Sequence, residues 1–484
     1  MIDIIVDEME LSFNRLEKEI YAAGCRIACE TLKNILEELD KKLAVERDKS
    51  KYRHKGTRRT TVKTLMGEVA FSRAIYRSTD DEGKKVYIYL LDQLLGFDTI
   101  GLISTNLAER IVENASIASY RNAADNVTEL SGQSISHGGV WNVVQALGKK
   151  VKENEAELGK AMEKNQLCGE KEISVLFEEA DGVYINIQGQ DRPKSGKKLE
   201  MKVAVAYEGW KETSKDRYEL VNKMACAGFE DAPEFYKRKE AMIAKEYNID
   251  EIGMRILNGD GASWIKHGID DTVHYQLDPF HKHKAVLRNV RDEEQRKKIL
   301  QLLGNNEVED LLIYIADLVN SAEDEKEQKK LKELYSYFKE NKEGLIPYKA
   351  RGLDIPEPPY GLTYRNLGTM EHHICDIIAK RMKHRKASWS IDGAGNLGKL
   401  LAAKASKRLN EVVEKYSKIV LPEDKTYEIM QILSSSKAPK KDGKGKDGNI
   451  HKGQIPFNNY PVTNGRKAIR SMFSMRNFTD LVYR

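Results

Sequence analysis

Three acidic residues stand where a side chain could do chemistry. Asp181 follows Ile173, Val175 and Phe177 and precedes Val183 at even spacing, so a strand running through this stretch points its carboxylate where apolar side chains otherwise point. Asp260 ends the apolar run that begins at Met254 and is flanked by Gly259 and Gly261, which leave open space at a strand end. Glu371 opens a helix whose stripe Ile374, Cys375, Ile378 and Met382 recurs at spacings of three and four, which puts the acid on the buried face. A buried carboxylate is costly unless it is paired or binds a cation. Each acid alone also reads as a turn former, a cap or an ion-pair partner. Together, two strand-end aspartates and a helical glutamate are the hard oxygen donors that a pair of Mg²⁺ or Mn²⁺ ions needs. Two such ions activate an attacking oxygen and stabilise the leaving oxygen of a phosphodiester, so metal-dependent phosphoryl transfer is the expected reaction class.

The acids sit in longer motifs: Glu179-Ala180-Asp181-Gly182, Asn258-Gly259-Asp260-Gly261-Ala262-Ser263-Trp264-Ile265, Asp278-Pro279-Phe280-His281 and Gly368-Thr369-Met370-Glu371-His372-His373. This set, in this order, resembles the DDE transposases of bacterial insertion sequences, in particular the ISLre-type family, which is similar to the mutator-like transposases. The resemblance runs from the basic hairpin described below to about Leu400. It implies an α/β fold: an RNase H-like catalytic domain, interrupted between the second aspartate and the glutamate by an all-α insertion. It also implies that Asp181, Asp260 and Glu371 are the catalytic ligands of two Mg²⁺ (or Mn²⁺) ions. The expected partners are double-stranded DNA with terminal inverted repeats, a target DNA, and a second copy of the chain. Asp278 and His281 match the family's Cys/Asp-x-x-His motif and are candidates for site support. Asp278 with Pro279 reads equally as an N-cap and first position of a helix, and both readings stay open. His283, His372 and His373 are read as phosphate contacts or solvated helix residues.

Around these motifs the hydrophobic period marks the elements that must hold them. Residues 1–45 read as one long helix, for packing or dimerisation, with Ile20, Ala23, Ile27, Leu32, Ile35 and Leu36 recurring among charges. Lys49 to Lys63 form a basic cluster that includes Lys55, Arg58 and Arg59, and a hairpin of Thr60–Leu65 and Val69–Tyr76 follows, carrying Arg73. Helices are expected over 104–152. Within them Ser119–Leu130 and Ser136–Leu147 have the proportions of a helix-turn-helix or of a plain helical pair. Period two marks strands at Ile173–Phe177, Val183–Ile187, Leu199–Tyr207, Met254–Asp260 and Val273–Leu277, the first two separated near Asp181-Gly182. From Lys284 to about Glu343 the period is helical. The resulting division is an N-terminal helix (1–45), a mainly helical DNA-binding region (46–165), a catalytic core in two parts (166–283 and 361–435), a helical insertion (284–360), and a basic flexible linker and tail (436–484). After Glu371, the run containing Arg381, Lys383, Arg385 and Lys386 with Trp389 is expected to hold DNA phosphates, like Lys55, Arg58, Arg59 and Arg73.

Composition sets the outer limits. The chain has 484 residues, 80 Lys+Arg against 75 Asp+Glu and a net charge of +5, so any preference for nucleic acid must come from clustering of charge. No stretch has the roughly 18 apolar residues of a membrane helix, and the acidic start does not resemble a signal peptide, so a cytoplasmic, nucleoid-associated protein is expected. Five cysteines without a CxxC pair indicate reduced thiols rather than a zinc ribbon. The expected function is a DNA transposase that cleaves and joins insertion-sequence ends. The alternatives are a non-catalytic DNA-binding regulator or domesticated transposase, and an RNase H-like nuclease without strand transfer.

Overall fold

Apolar residues of helical period hold the first helix, α1 (Phe13–Glu46), against an antiparallel sheet of β1 (Arg53–Thr64), β2 (Gly67–Thr79) and β3 (Lys85–Ile88). The computed structural model describes residues 12–417 apart from 81, 82, 96, 98–100, 191, 195, 268 and 270, so residues 1–11 of the expected first helix and the segment 436–484 lie outside the described residues. Ile35, Leu36 and Leu39 pack on Val62, Val69 and Phe71, with Leu91 of the short helix α2 (Leu90–Leu95). Glu37 and Asp40 of α1 accept the backbone N–H groups of Ser72 and Ala74 at 3.0 and 2.9 Å, satisfying amides that lack a strand neighbour there. Two expectations are corrected. The apolar stripe does not bury Ile20 and Ile27, which are 52% and 49% exposed, because this core meets the helix only from about Cys29 onward. The hairpin begins at Arg53, so the basic cluster is itself a strand rather than a segment preceding one.

Three helices follow, α3 (Thr105–Ile117), α4 (Tyr120–Ser131) and α5 (His137–Glu163). Each starts where a serine side chain (Ser104, Ser119 or Ser136) accepts a backbone N–H of the first turn, at 3.3, 3.2 and 3.0 Å. Gly132, in the left-handed region, ends α4. The expected helix pair is present, but α5 runs on to Glu163. Its Val140, Val143, Val144, Leu147 and Val151 are buried in one core with the strands that follow. That core spans the expected boundary at residue 165.

The main sheet has β4 (Val175–Asn186), β5 (Lys198–Tyr207), β8 (Met224–Gly228), β9 (Met254–Gly259) and β10 (Val273–Leu277); β6 (Trp210–Ser214) and β7 (Arg217–Leu220) form a separate hairpin. The strand order is β10-β9-β4-β5-β8, with β4, β5 and β8 successively antiparallel and β9 and β10 parallel to β4. β4 is a single strand through Asp181-Gly182, not two, because its pairing with β5 continues unbroken from Phe177 to Asn186. Phe177, Val183, Val203 and Val205 face the core shared with α3–α5, whereas Ala180, Ala204, Cys226 and Leu257 pack with Phe235 of α6 (Ala232–Glu246).

From Pro279 the chain builds a helical block with its own core: α7 (Pro279–Asn289), α8 (Glu293–Gly304), α9 (Val308–Ser321) and α10 (Glu325–Glu340). Val286, Ile299, Leu311, Ile315, Leu331, Leu334 and Phe338 fill it. The block starts five residues before the expected Lys284, because Asp278 caps α7 and Pro279 occupies its first turn. The stretch from Leu345 to Gly368 is a largely irregular return rather than more helix. It leads into α11 (Met370–Ile374), a π-helical turn (Cys375–Ala379) and a last turn (Lys380–Met382). Helices α12 (Ile391–Ala405) and α13 (Leu409–Ser417) complete the described fold. Among the described residues no helix is long and apolar enough to cross a membrane. The architecture is mixed α/β, as expected.

Candidate active site

Parallel pairing of β4 and β9 ends at Ala180 opposite Gly259, so the next residues of the two strands are Asp181 and Asp260. One carboxylate oxygen of each and a ring nitrogen of His281 lie within 4.8 Å of one another, a group able to hold a metal ion. Asp181 is buried at 7% exposure, and its Oδ1 accepts the N–H of Gly182 at 2.6 Å. Asp260 is fixed through its own turn, its Oδ1 accepting the N–H of Ala262 at 2.8 Å. The hydroxyl of Tyr337 on α10 donates to the Asp260 carbonyl at 2.7 Å, so the helical block holds this strand end. Gly261 has φ +93°, and a Cβ there would lie 2.8 Å from Asn341 Oδ1, so the residue must be glycine. Glu371 approaches from α11, with its Oε1 3.8 Å from His281 Nε2. Its side chain is 43% exposed, which corrects the expected buried face: the acid opens into a cavity while Ile374, Ile378 and Met382 carry the buried stripe. Asp181, Asp260, His281 and Glu371 all line this cavity of about 650 Å³.

Crowding shapes the charges. Burial pushes the Asp181 carboxyl up to about 7; the charge of His281 opposes this, and the neighbouring Asp260 and Glu371 add to it. His281 is itself partly buried, which lowers its pKa, but Asp278, Asp181 and Asp260 outweigh this and hold it above its ordinary value. Asp278 bears out the helix-start reading and also lies beside His281. It caps α7 by accepting the N–H of His281 at 3.2 Å, and its Oδ1 lies 3.3 Å from His281 Nδ1. It therefore orients the imidazole and stands behind the cluster.

Behind the acids runs a buried polar chain that periodicity alone did not reveal. Glu179 is fully buried. Its carboxylate accepts from the hydroxyls of Tyr207 and Thr369 at 2.8 and 2.5 Å, and from the N–H groups of Gly368 and Thr369 at 3.3 and 3.0 Å. Asn258 donates to Glu179 at 3.0 Å and to Asp278 at 2.8 Å. Thr369, Glu179, Asn258, Asp278 and His281 thus form one connected path from the start of the Glu371 helix to the imidazole. The available signal was a polar residue two positions before each aspartate, on the strand face that is otherwise apolar.

The expected phosphate-binding residues divide. Lys55, Arg58 and Arg59 are exposed on β1, Lys383 lines the acid cavity, and Lys386 is exposed. The side chain of Arg385 lies outside the described residues. Three residues are corrected. Arg73 is buried, with Nε 2.6 Å from Asp92 and its guanidinium 4.0 Å over the Tyr89 ring. Arg381 is buried, donates to the Ala115 carbonyl at 2.6 Å and lies 5.1 Å from the rings of both Tyr120 and Trp389. Trp389 donates through Nε1 to the Met382 carbonyl at 2.9 Å and meets Tyr120 edge to face, so it packs the fold rather than stacking on a base. His373 is also buried, not solvated. Burial and the neighbouring Lys223 push its pKa down to about 3, which keeps it neutral between Lys223 and Thr369. His372 is exposed and pairs with Asp376 at 2.7 Å.

Comparison with known proteins adds a family. The model of UPF0236, described as an uncharacterised protein family, matches residues 6–418. A UPF0236 protein of Caldanaerobacter subterraneus subsp. tengcongensis, whose name joins eleven designations from TTE0033 to TTE2212, is 26% identical over 380 residues, covering 78% of this chain and 74% of its own length. A second from that organism, TTE2489, is 26% identical over 382 residues, 78% and 75% of the two chains. The UPF0236 protein in the vanSb 3'region of Streptococcus gallolyticus is 24% identical over 400 residues, 81% and 82% of the two chains. A family match over most of its length places this chain in the UPF0236 family.

Proposed function

We propose that this protein is a divalent-metal-dependent DNA transposase of the DDE kind that cleaves and joins the ends of its own mobile element. The observation that carries the reading is the meeting of Asp181 and Asp260, 79 residues apart in sequence, with His281 at one strand end, facing Glu371 from a helix a further 111 residues on. Three further features support it. A central first strand, two successive antiparallel strands on one side and two parallel strands on the other is the order expected of an RNase H-like domain, with one acid within the first strand, where its pairing with the fourth ends, and one just past the end of the fourth. A helical block separates the second aspartate from the glutamate, as the resemblance implies. One relative's name joins eleven designations of a single organism and another's joins four, the pattern expected of a gene that copies itself.

The donor set fits hard divalent cations. Three carboxylates converge with one imidazole, and Asp181 is pushed up by burial, with Asp260 and Glu371 adding to it, an arrangement that a cation would relieve. Asp181, Asp260 and Glu371 would hold Mg²⁺ or Mn²⁺, which when bound lowers the cost of forming an attacking oxygen and of charge on the leaving one. The chain's own residues do the positioning. Tyr337 and the Ala262 amide fix Asp260, Glu179 fixes the start of the Glu371 helix, and Asp278 aims His281. The exposed cations Lys55, Arg58 and Arg59 supply a separate surface for the duplex, at a strength that falls with salt. The test is cleavage of DNA carrying the element's ends. Asp181→Ala, Asp260→Ala and Glu371→Ala should each abolish cleavage and leave binding to those ends intact, and full cleavage by any variant rejects that residue's role. Joined products separate the transposase from a nuclease with the same site.

A further inference from the structure

The wall of the acid cavity carries groups that metal binding does not use. Lys284 and Arg288, one turn apart on α7, and Lys383 line the same cavity as the acids. Among the described residues none of the three has an ion-pair partner, whereas Lys297 on the next helix is held by Glu293 and Glu294 at 3.2 and 3.0 Å. Unpaired cations beside a carboxylate cluster are ready to meet an anion. Tyr184 of β4 lines the cavity too and is 54% exposed, so an aromatic side chain stands at the wall with about half of its surface open. Aromatic rings of this kind stack on bases of every sequence once the base leaves its own stack. The cavity, of about 650 Å³, has room for sugars and bases of one strand.

We propose that this wall seats unpaired nucleotides of the DNA strand that enters the acid cluster, with Lys284, Arg288 and Lys383 taking phosphates and Tyr184 stacking on a base. The proposal rests on the phosphoryl-transfer reading and names the form of its substrate. It also sets an order. Glu200 is a fourth carboxylate lining the cavity beside Asp181, Asp260 and Glu371, so an incoming phosphate meets carboxylates as well as cations there until divalent cations cover them.

The test uses the full chain and fluorescence anisotropy of labelled DNA in Ca²⁺, comparing a blunt duplex with the same duplex carrying a short single-stranded thymine extension. The extension should tighten binding by about tenfold, consistent with stacking of one base. Tyr184→Ala should remove that gain and Tyr184→Phe should keep it. Lys284→Ala combined with Arg288→Ala should weaken binding of the extended duplex and flatten its salt dependence. Withdrawing Ca²⁺ should abolish the gain. Equal binding of the extended duplex by the parent and Tyr184→Ala overturns the seat, and so does tighter binding of an RNA extension than of the DNA one. Cleavage in Mn²⁺ separates this proposal from the reading beneath it. If the parent cleaves while Tyr184→Ala binds as the parent does, the seat alone fails. If Tyr184→Ala loses the gain while the parent never cleaves, phosphoryl transfer alone fails.

Discussion

At the scale of single residues, the acid cluster is arranged at the expense of stability. Asp181 is buried beside two other carboxylates, so the folded protein holds its proton up to about pH 7, well above the ordinary carboxylate range. The sign follows from linkage: a carboxyl raised in the folded state stabilises the fold at low pH, and that contribution is lost as pH rises from about 4 to about 7. Asp181→Asn should therefore raise the stability of the metal-free protein at pH 8 by ~2 kcal/mol, after discounting for partial solvation. The same substitution should remove the rise in Tm that Mn²⁺ gives the parent. Thermal denaturation in EDTA and in Mn²⁺ checks both, and a variant less stable than the parent in EDTA would contradict the crowding. Asp181 and Asp260 were legible in the sequence because a charged residue on an apolar strand face breaks a period that is easy to see. Arg381 and Trp389 were not, because Arg381 is buried by the Ala115 carbonyl, 266 residues away, and no local pattern encodes that contact.

Among elements, what matters is how a strand and a helix distant in sequence are tied together. Glu179 joins β4 to the loop before α11 by accepting from Gly368 and from both the N–H and hydroxyl of Thr369, so it sets where Glu371 begins. Glu179→Gln keeps the shape but turns an amide donor toward groups that are themselves donors. Groups that orient a metal ligand typically cost 10- to 100-fold when altered, and a fall of roughly that size is expected in kcat, with affinity for DNA unchanged. Glu179→Asp should restore less than the parent's rate because the shorter side chain cannot reach every donor. Steady-state kinetics with binding measured in parallel checks this, and an unchanged kcat would assign Glu179 a purely structural role. Strands β4, β5, β9 and β10 and the helical block were legible from their periods, whereas β8, buried at every residue, has no alternation to read. Continuity of β4 was not, because Asp181-Gly182 has the composition of a turn, and only its unbroken pairing with β5 overrides that local preference.

Across the whole molecule, the main sheet is pinned from behind by a buried ion cluster. Arg255 on β9 reaches Glu178 of β4 and Glu240 of α6 at 2.7 Å, and Lys239 reaches Glu178 at 2.5 Å. Burial alone would raise Glu240, but Lys239 and Arg255 reverse this and hold it down to about 2. A depressed carboxyl stabilises the fold above its ordinary pKa, and that contribution is lost as pH falls from about 4.5 toward about 2. Glu240→Gln should cost about 3 kcal/mol at neutral pH because it leaves part of the cationic pair uncompensated, and the deficit should shrink through that acid window. Urea denaturation across pH reads it directly. This scale was the least legible. The helices of residues 105–163 share a core with the sheet through Val140, Val143 and Leu147, and a boundary placed where the period changes cuts through that core.

The central claim is that Asp181, Asp260 and Glu371 act as one site for divalent cations. Calorimetric titration of the full chain with Mn²⁺, in the presence of DNA carrying the element's ends, tests it most directly. The account predicts uptake of about two ions per chain. It predicts that this uptake is lost in Asp181→Ala and Asp260→Ala and weakened in Glu371→Ala, while DNA binding persists. Uptake that is absent in the parent, or unchanged in all three variants, would contradict it.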